Sequence, residues 1–482
     1  MRFILALLFA GAFGSVSPAR ATVYPERGNT EVLYLDGWET DLQVRLDLVR
    51  RAKTSIDLLS FSQAPDEIGR PFLDAIREVE RARCVKVRYL YDGVASWIDR
   101  DFANESAKRI TDGVPCGAQV LTLGVFDKWR VGLEWDDFFH EKVLIVDGGT
   151  ADEKIVIGGR GYTRFSTRIA DSGYLFRPID VAAPSFGTDV RASFESLWKL
   201  ALRFVNPLPR HPGAAAPAGD PSARDFATTE AARKESARIE AFLSAPRPTS
   251  KAPIPEGVYR PRALRLASND LIEKVTEAVA HAESTERKSL RNDARSGLVF
   301  AIRKFSGTIS LTSYAVGFTD PMREAFADFV RRGNTLEILT NGRSANARFI
   351  PMGLPVYYTA ENLARLLSDI EGGKGKLLVR FLDADRADAA GRPSFVHRKL
   401  VLFDGAEKFL YTGTDNFTWS SSKKNDEWMI RIDDPRMVEA AKALNAREGV
   451  DYVDVPPEEI RRLDGDRPWL YPFVRPFIFR NY

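Results

Sequence analysis

At 482 residues, 44% apolar and 28% charged, the chain can fill two or more domains with sizeable cores and is too apolar to be disordered. A formal charge of +3, from 69 basic and 66 acidic residues, lacks the bulk footprint of a non-specific nucleic-acid binder and leaves room only for a local basic groove. After residue 21 no segment is apolar and long enough to cross a bilayer.

Residues 1–21 open with Met1 and Arg2, run apolar from Phe3 to Gly14 and close on Ala19-Arg20-Ala21, the pattern of a cleavable secretory signal peptide. Its removal takes away Arg2 and Arg20 and no acid, and leaves a chain close to neutral. The expected location is therefore the periplasm or the medium. The first half, 22–205, then reads as a helix over 40–53, a buried strand over 55–62, a helix over 68–82 and strands over 85–92 and 118–123. Cys84 precedes one strand and Cys116 the next. An exported chain can join them, and two free thiols fit the sequence as well. Residues 206–260 are Pro- and Ala-rich around a polar helix at about 226–244, as in a linker. The second half, 261–482, repeats the order: a helix at about 269–288, a strand over 307–316, a helix over 322–333, a strand over 335–341, a helix over 362–370 and a strand over 377–383. Alternation of this kind implies α/β layering on mixed sheets, and the repetition implies a duplication.

Each half then carries His-x-Lys-x4-Asp: His140, Lys142 and Asp147 in FFHEKVLIVDGG, and His397, Lys399 and Asp404 in FVHRKLVLFDGA. The chain has four histidines. The other two, His211 in the linker and His281 in a charged helix, read as surface residues. From Lys to Asp each copy is β-branched or apolar and closes on Asp-Gly, which predicts a buried strand with His and Lys pointing to one side of its start. Lysine holds a phosphate oxygen as a point charge, and histidine attacks or exchanges a proton near neutral pH. Two facing pairs supply a nucleophile and a general acid, the requirement for cleaving a phosphodiester through a covalent intermediate.

The paired motifs resemble the phospholipase D superfamily, and the flanking SIDLLSFSQAPDEIGRPFLDAIREVERARCVKVRYLYDG, GGR (158–160), FADFVRRGNTLEILTN and GTDNFTWSS…NDEW are similar to its bacterial cardiolipin synthase-like branch. The resemblance spans most of 33–200 and 262–435. It implies two similar α/β/α sandwich lobes related by a pseudo-twofold axis, with the active site between them. It implies that one histidine becomes phosphohistidine while the other protonates the leaving alcohol and then activates water or an acceptor alcohol. Lys142, Lys399 and Asn416 would bind the phosphate. Asp171 and Glu427 would hydrogen-bond the histidines, and Asp147 and Asp404 would have structural roles. The chain departs from the pattern at Gly161, where the family asparagine of the first half is expected.

The expected activity is that of a phospholipid phosphodiesterase or phosphatidyltransferase at a membrane surface, acting as a monomer because one chain supplies both motifs. No cofactor and no metal is expected, since the lysines supply the positive charge that Mg²⁺ provides elsewhere. An exported metal-independent nuclease and a catalytically weakened lipid-binding member are the alternatives. The tail from 467 to 482, with Trp469, Tyr471, Phe473, Phe477, Phe479 and Tyr482 among Arg467, Arg475 and Arg480, fits either an interfacial contact or packing on the second half. Trp129, Trp135, Phe138 and Phe139 fit either a substrate pocket or the core.

Overall fold

The computed structural model describes residues 21–61, 66–92, 100–123, 140–163, 166–167, 169–204, 239–243, 257–269, 293–349, 353–418 and 427–472. Residues 1–20 of the expected signal peptide, most of the linker including His211, the helix expected around His281, Trp129, Trp135, Phe138, Phe139 and the tail from 473 lie outside them.

Two mixed sheets carry the molecule. The strands, numbered along the chain, are β1 (Ala21–Val23), β2 (Thr30–Leu35), β3 (Ser55–Ser60), β4 (Lys86–Asp92), β5 (Gln119–Leu123), β6 (Val143–Val146), β7 (Lys154–Gly158), β8 (Ile169–Ala170), β9 (Gly173–Pro178), β10 (Val258–Tyr259), β11 (Ala263–Asn269), β12 (Gly307–Thr312), β13 (Thr335–Asn341), β14 (Lys376–Leu382), β15 (Phe395–Val396), β16 (Leu400–Gly405), β17 (Lys408–Gly413), β18 (Trp428–Asp433) and β19 (Tyr452–Asp454). The first sheet runs β10-β2-β9-β7-β6-β3-β4-β5 and the second β1-β11-β18-β17-β16-β12-β13-β14-β19. From β2 to β5 and from β11 to β14 the order is the same, strand for strand. β3-β4-β5 and β12-β13-β14 are parallel, joined through helices, while the motif strands β6 and β16 enter antiparallel to β3 and β12.

Side chains along the strands alternate between two cores, as the two-residue period requires. On β6, Leu144 and Val146 point outward to the core under the helices Trp38–Arg51 and Gly69–Arg83. Val143 and Ile145 point inward to a core shared with the other lobe. On β16, Val401 and Phe403 face outward against the helices Asp320–Arg331 and Leu354–Asp369, while Leu400 and Leu402 join that same shared core. The helices Phe186–Phe204 and Pro435–Glu448 contribute Phe194, Trp198, Met437 and Ala441 to it. The two sheets are thus welded by a common apolar layer, and the paired motifs are brought to one seam. No helix among the described residues is long and apolar enough to cross a membrane.

The leading strands are exchanged. β1 precedes β2 in the chain yet adds to the second sheet, pairing Ala21–Val23 with Ala267–Asn269. β10 precedes β11 yet adds to the first sheet, pairing Val258 and Tyr259 with Leu33 and Val32.

Cys84 and Cys116 form a disulfide with their Cα atoms 5.3 Å apart. Cys84 ends the helix Gly69–Arg83 in a left-handed conformation, its N–H donating to the Glu80 carbonyl at 2.8 Å. The buried Glu80 carboxylate in turn accepts from the Cys116 N–H at 2.7 Å. A closed loop of 32 residues restricts the unfolded chain by about 3–4 kcal/mol. Reduction, or the C84S/C116S pair, is expected to lower the urea midpoint accordingly, and an unchanged midpoint would refute a stabilising role for the bond.

Candidate active site

His140 and His397 each stand three residues before the body of a motif strand, where the chain has left the sheet but is held by the lysine two residues on. Lys142 Nζ donates to the His140 carbonyl at 2.6 Å, and Lys399 Nζ to the His397 carbonyl at 2.5 Å. Each His and Lys therefore lie on one side of the chain, as their spacing predicts. All four are largely buried.

The carboxylates bind the histidines crosswise. Asp171, from the first lobe, accepts from His397 Nδ1 at 2.7 Å, and Glu427, from the second, lies 3.1 Å from His140 Nδ1. The cause of the first crossing is a short parallel ladder between the lobes. β8 pairs with β15 in the register Ile169↔Phe395 and Ala170↔Val396. The His397 N–H extends it by donating to the Ala170 carbonyl at 2.9 Å, so Asp171 and His397 leave the ladder side by side. On the second-lobe side, Thr414 fixes the neighbour of Glu427: the Trp428 N–H donates to Thr414 Oγ1, and the Thr414 N–H to the Trp428 carbonyl, both at 2.9 Å.

Sequence reasoning missed the props behind this pair. Arg398, fully buried, donates from Nε to Ser172 Oγ at 2.9 Å and grips Glu448 with both terminal nitrogens at 2.7 and 2.8 Å. It thereby anchors the residue after Asp171 to the second lobe. Gly159 is required by proximity, because a Cβ there would fall 2.1 Å from an Asp171 oxygen. The alternating pattern of the strands carries no trace of either.

With Nδ1 donating to a carboxylate, each imidazole is fixed as the tautomer whose Nε2 holds the lone pair. Lys399 Nζ stands against the ring, 2.7 Å from His397 Nδ1 and 3.0 Å from its Nε2. Burial, reinforced by the Lys399 ammonium, pushes His397 down to about 3. Burial also lowers His140, against the pull of Glu427. Both rings are therefore neutral at pH 7 before an anion arrives. Burial and the charge of Lys399 bring Lys142 down to about 7, and burial brings Lys399 down to about 8 against Asp171 and Glu427. Asp171 itself is held well below the carboxylate range: Lys399 and His397 overcome the effect of its burial. Both lysines lose proton affinity chiefly through burial, and a bound anion would restore it.

Asn416 is buried in the turn after β17, its carbonyl accepting from Ser313 Oγ at 2.7 Å. Asp147 and Asp404 stand at the far ends of the motif strands. Asp147, at φ +52°, accepts from the N–H groups of Lys53, Thr54 and Ser55 and ties β6 to the start of β3. Asp404 meets Lys408 at 3.0 Å and Lys442 at the surface. Gly161 is buried and follows Arg160 at the end of β7.

Residues 298–447, about a third of the chain and the part holding the second motif, match the family model described as cardiolipin synthase, PLD-like domain. Among solved structures, a phosphatidylserine synthase from Haemophilus influenzae Rd KW20 is similar at 15% identity over 93% of this chain and 94% of that one, with a TM-score of 0.57. Nuc from Salmonella typhimurium, a phospholipase D family member, matches at 18% identity over 33% of this chain and 90% of its own, with a TM-score of 0.24. No curated protein sequence matches.

Proposed function

From a second lobe of the phospholipase D superfamily, set in the two-lobed fold shared with a phosphatidylserine synthase, we propose that this chain is an exported phosphodiesterase or phosphatidyltransferase acting on phospholipids. The observation that carries the reading is the crossed arrangement of two buried His–carboxylate pairs with a lysine beside each. The disulfide supports export, since such bonds persist in oxidising compartments.

In the first step Nε2 of one histidine attacks phosphorus. A P–N bond forms, the P–O bond to the leaving alcohol breaks, and the other histidine gives that alcohol its Nε2 proton. Water or a second alcohol then returns a proton to that histidine and attacks phosphorus, and the P–N bond breaks. Lys142 and Lys399 hold the non-bridging oxygens, where charge accumulates. The bound phosphate also supplies the proton affinity that the acid histidine lacks in the free site, because a neighbouring anion favours imidazolium.

The test is mass spectrometry of mixed phosphatidylglycerol, phosphatidylethanolamine and phosphatidylcholine vesicles incubated with the protein and EDTA, with a DNA control. Phosphatidic acid or cardiolipin is the expected product, and it distinguishes hydrolysis from transfer. DNA cleavage with intact lipids would overturn the reading in favour of a nuclease. Lipid binding without turnover would favour the weakened member.

The alkaline limb of kcat/KM is expected near pH 7–8. Lys142, lowered to about 7, carries its charge below that pH and loses it above, so phosphate capture weakens as pH rises. In K142R the cation persists, and the limb attributable to this residue moves toward Lys399, at about 8. A pH profile identical in K142R and the unsubstituted protein would show that Lys142 is not the titrating group.

A further inference from the structure

The two halves differ most at one buried position. The registers Val143↔Ile157 and Leu400↔Thr412 make β7 and β17 equivalent, so Gly158 corresponds to Gly413, Arg160 to Asp415 and Gly161 to Asn416. In the second half Asp415 is closed by Arg295 from the start of the helix Asp293–Lys304. Arg295 Nε lies 2.7 Å from Asp415 Oδ2, Nη2 reaches Oδ1, and the same Nη2 donates to the Thr418 carbonyl at 2.8 Å. In the first half the charges are inverted: Arg160 faces Asp41, in the first turn of the equivalent helix Trp38–Arg51.

The inverted pair is not closed. Asp41 Oδ1 is taken by Arg45 Nε at 2.9 Å, and Arg160 Nη1 stays 3.6 Å from Asp41 Oδ2. Arg160 is only 2% exposed, yet its Nε and Nη1 have no hydrogen-bond partner among the described residues. Its remaining nitrogen, Nη2, donates to the carbonyl of Asp171 at 2.5 Å, which fixes the guanidinium against the carboxylate partner of His397. The Arg160 charge is close enough to lower the proton affinity of both Asp171 and Lys399. A buried donor without an acceptor costs free energy, and more so when charged. Two such donors on one buried guanidinium leave it able to donate to an anionic oxygen that enters the seam.

We propose that Arg160 is a phosphoryl-oxygen ligand of the first half-site, doing the work for which Gly161 offers no side chain. The half-site is then bound by a permanent cation in place of a neutral amide. This rests on the reading of the seam as a phosphodiester site and assigns a further ligand within it.

The experiment is calorimetric titration of the purified protein with inorganic phosphate, comparing the unsubstituted chain with R160Q, R160K, K142A and K399A, alongside melting curves and the lipid assay. Glutamine keeps a donor for the Asp171 carbonyl while removing the charge and the two free donors. R160Q is expected to weaken phosphate at least about tenfold, the scale of one charge-assisted hydrogen bond, and R160K to fall between R160Q and the unsubstituted protein. Wild-type phosphate affinity in either folded variant would overturn the assignment and leave Arg160 as a prop for Asp171. Phosphate binding that depends on Lys142, Lys399 and Arg160 in a protein inert toward lipids would support the assignment while removing the lipid function.

Discussion

Alanine at His140 or at His397 is expected to lower turnover by on the order of 10⁴-fold or more, because each removal deletes either the nucleophile or the acid of a two-step displacement. The two variants should nevertheless differ. A diester with a nitrophenolate leaving group needs no proton from the enzyme, so the variant that keeps the nucleophile should release one equivalent of nitrophenol and retain phosphohistidine. The variant lacking the nucleophile should do neither. Two equally silent variants would speak against a covalent intermediate. The geometry leaves the assignment to this experiment, since both rings present Nε2 under similar constraint.

The second large effect concerns the carboxylates. Replacing Asp171 by Asn keeps the volume but permits the wrong imidazole tautomer, a change expected to cost about 10²–10⁴ in kcat. Because the pairing is crossed, the ring signals disturbed by D171N in a ¹⁵N spectrum should be those of His397, 226 residues away in sequence. E427Q should disturb His140. If each variant perturbed the histidine of its own motif, the crossed arrangement would be wrong. Melting temperature separates this from unfolding, since D171N also leaves Lys399 with one fewer counter-charge.

Most of the scaffold was legible in the sequence because its strands are continuous apolar runs bounded by turn residues. The strand expected over 335–341 is found at Thr335–Asn341, and the helix expected over 68–82 at Gly69–Arg83. The helix expected over 362–370 begins earlier, at Leu354, because Pro355 sits in its first turn, where a missing N–H costs nothing. The strand expected to run to 316 stops at Thr312, where the Ser313 N–H still reaches β13 at the Leu339 carbonyl before the chain turns away. The motif histidines and lysines were readable because their spacing is local. The crossed carboxylates, the ladder between β8 and β15, and Arg398 were not, since each depends on which distant segment lies opposite. Nor can a strand pattern say which sheet a strand will join, as β1 and β10 show.

That exchange bears on how such a molecule could arise and be taken apart. A cut within 206–256 would not release two finished lobes. One piece would carry β1 and lack the edge it belongs to, and the other would carry β10 in the same predicament. Each piece would expose the backbone of β2 or β11 as an open template, and the natural cover for that template is the other piece. Split fragments should therefore recognise one another and rebuild the seam when mixed. The same logic run backward describes a founder of half the length: a subunit whose leading strand had no home of its own, completed only by a second copy, with one histidine contributed by each partner.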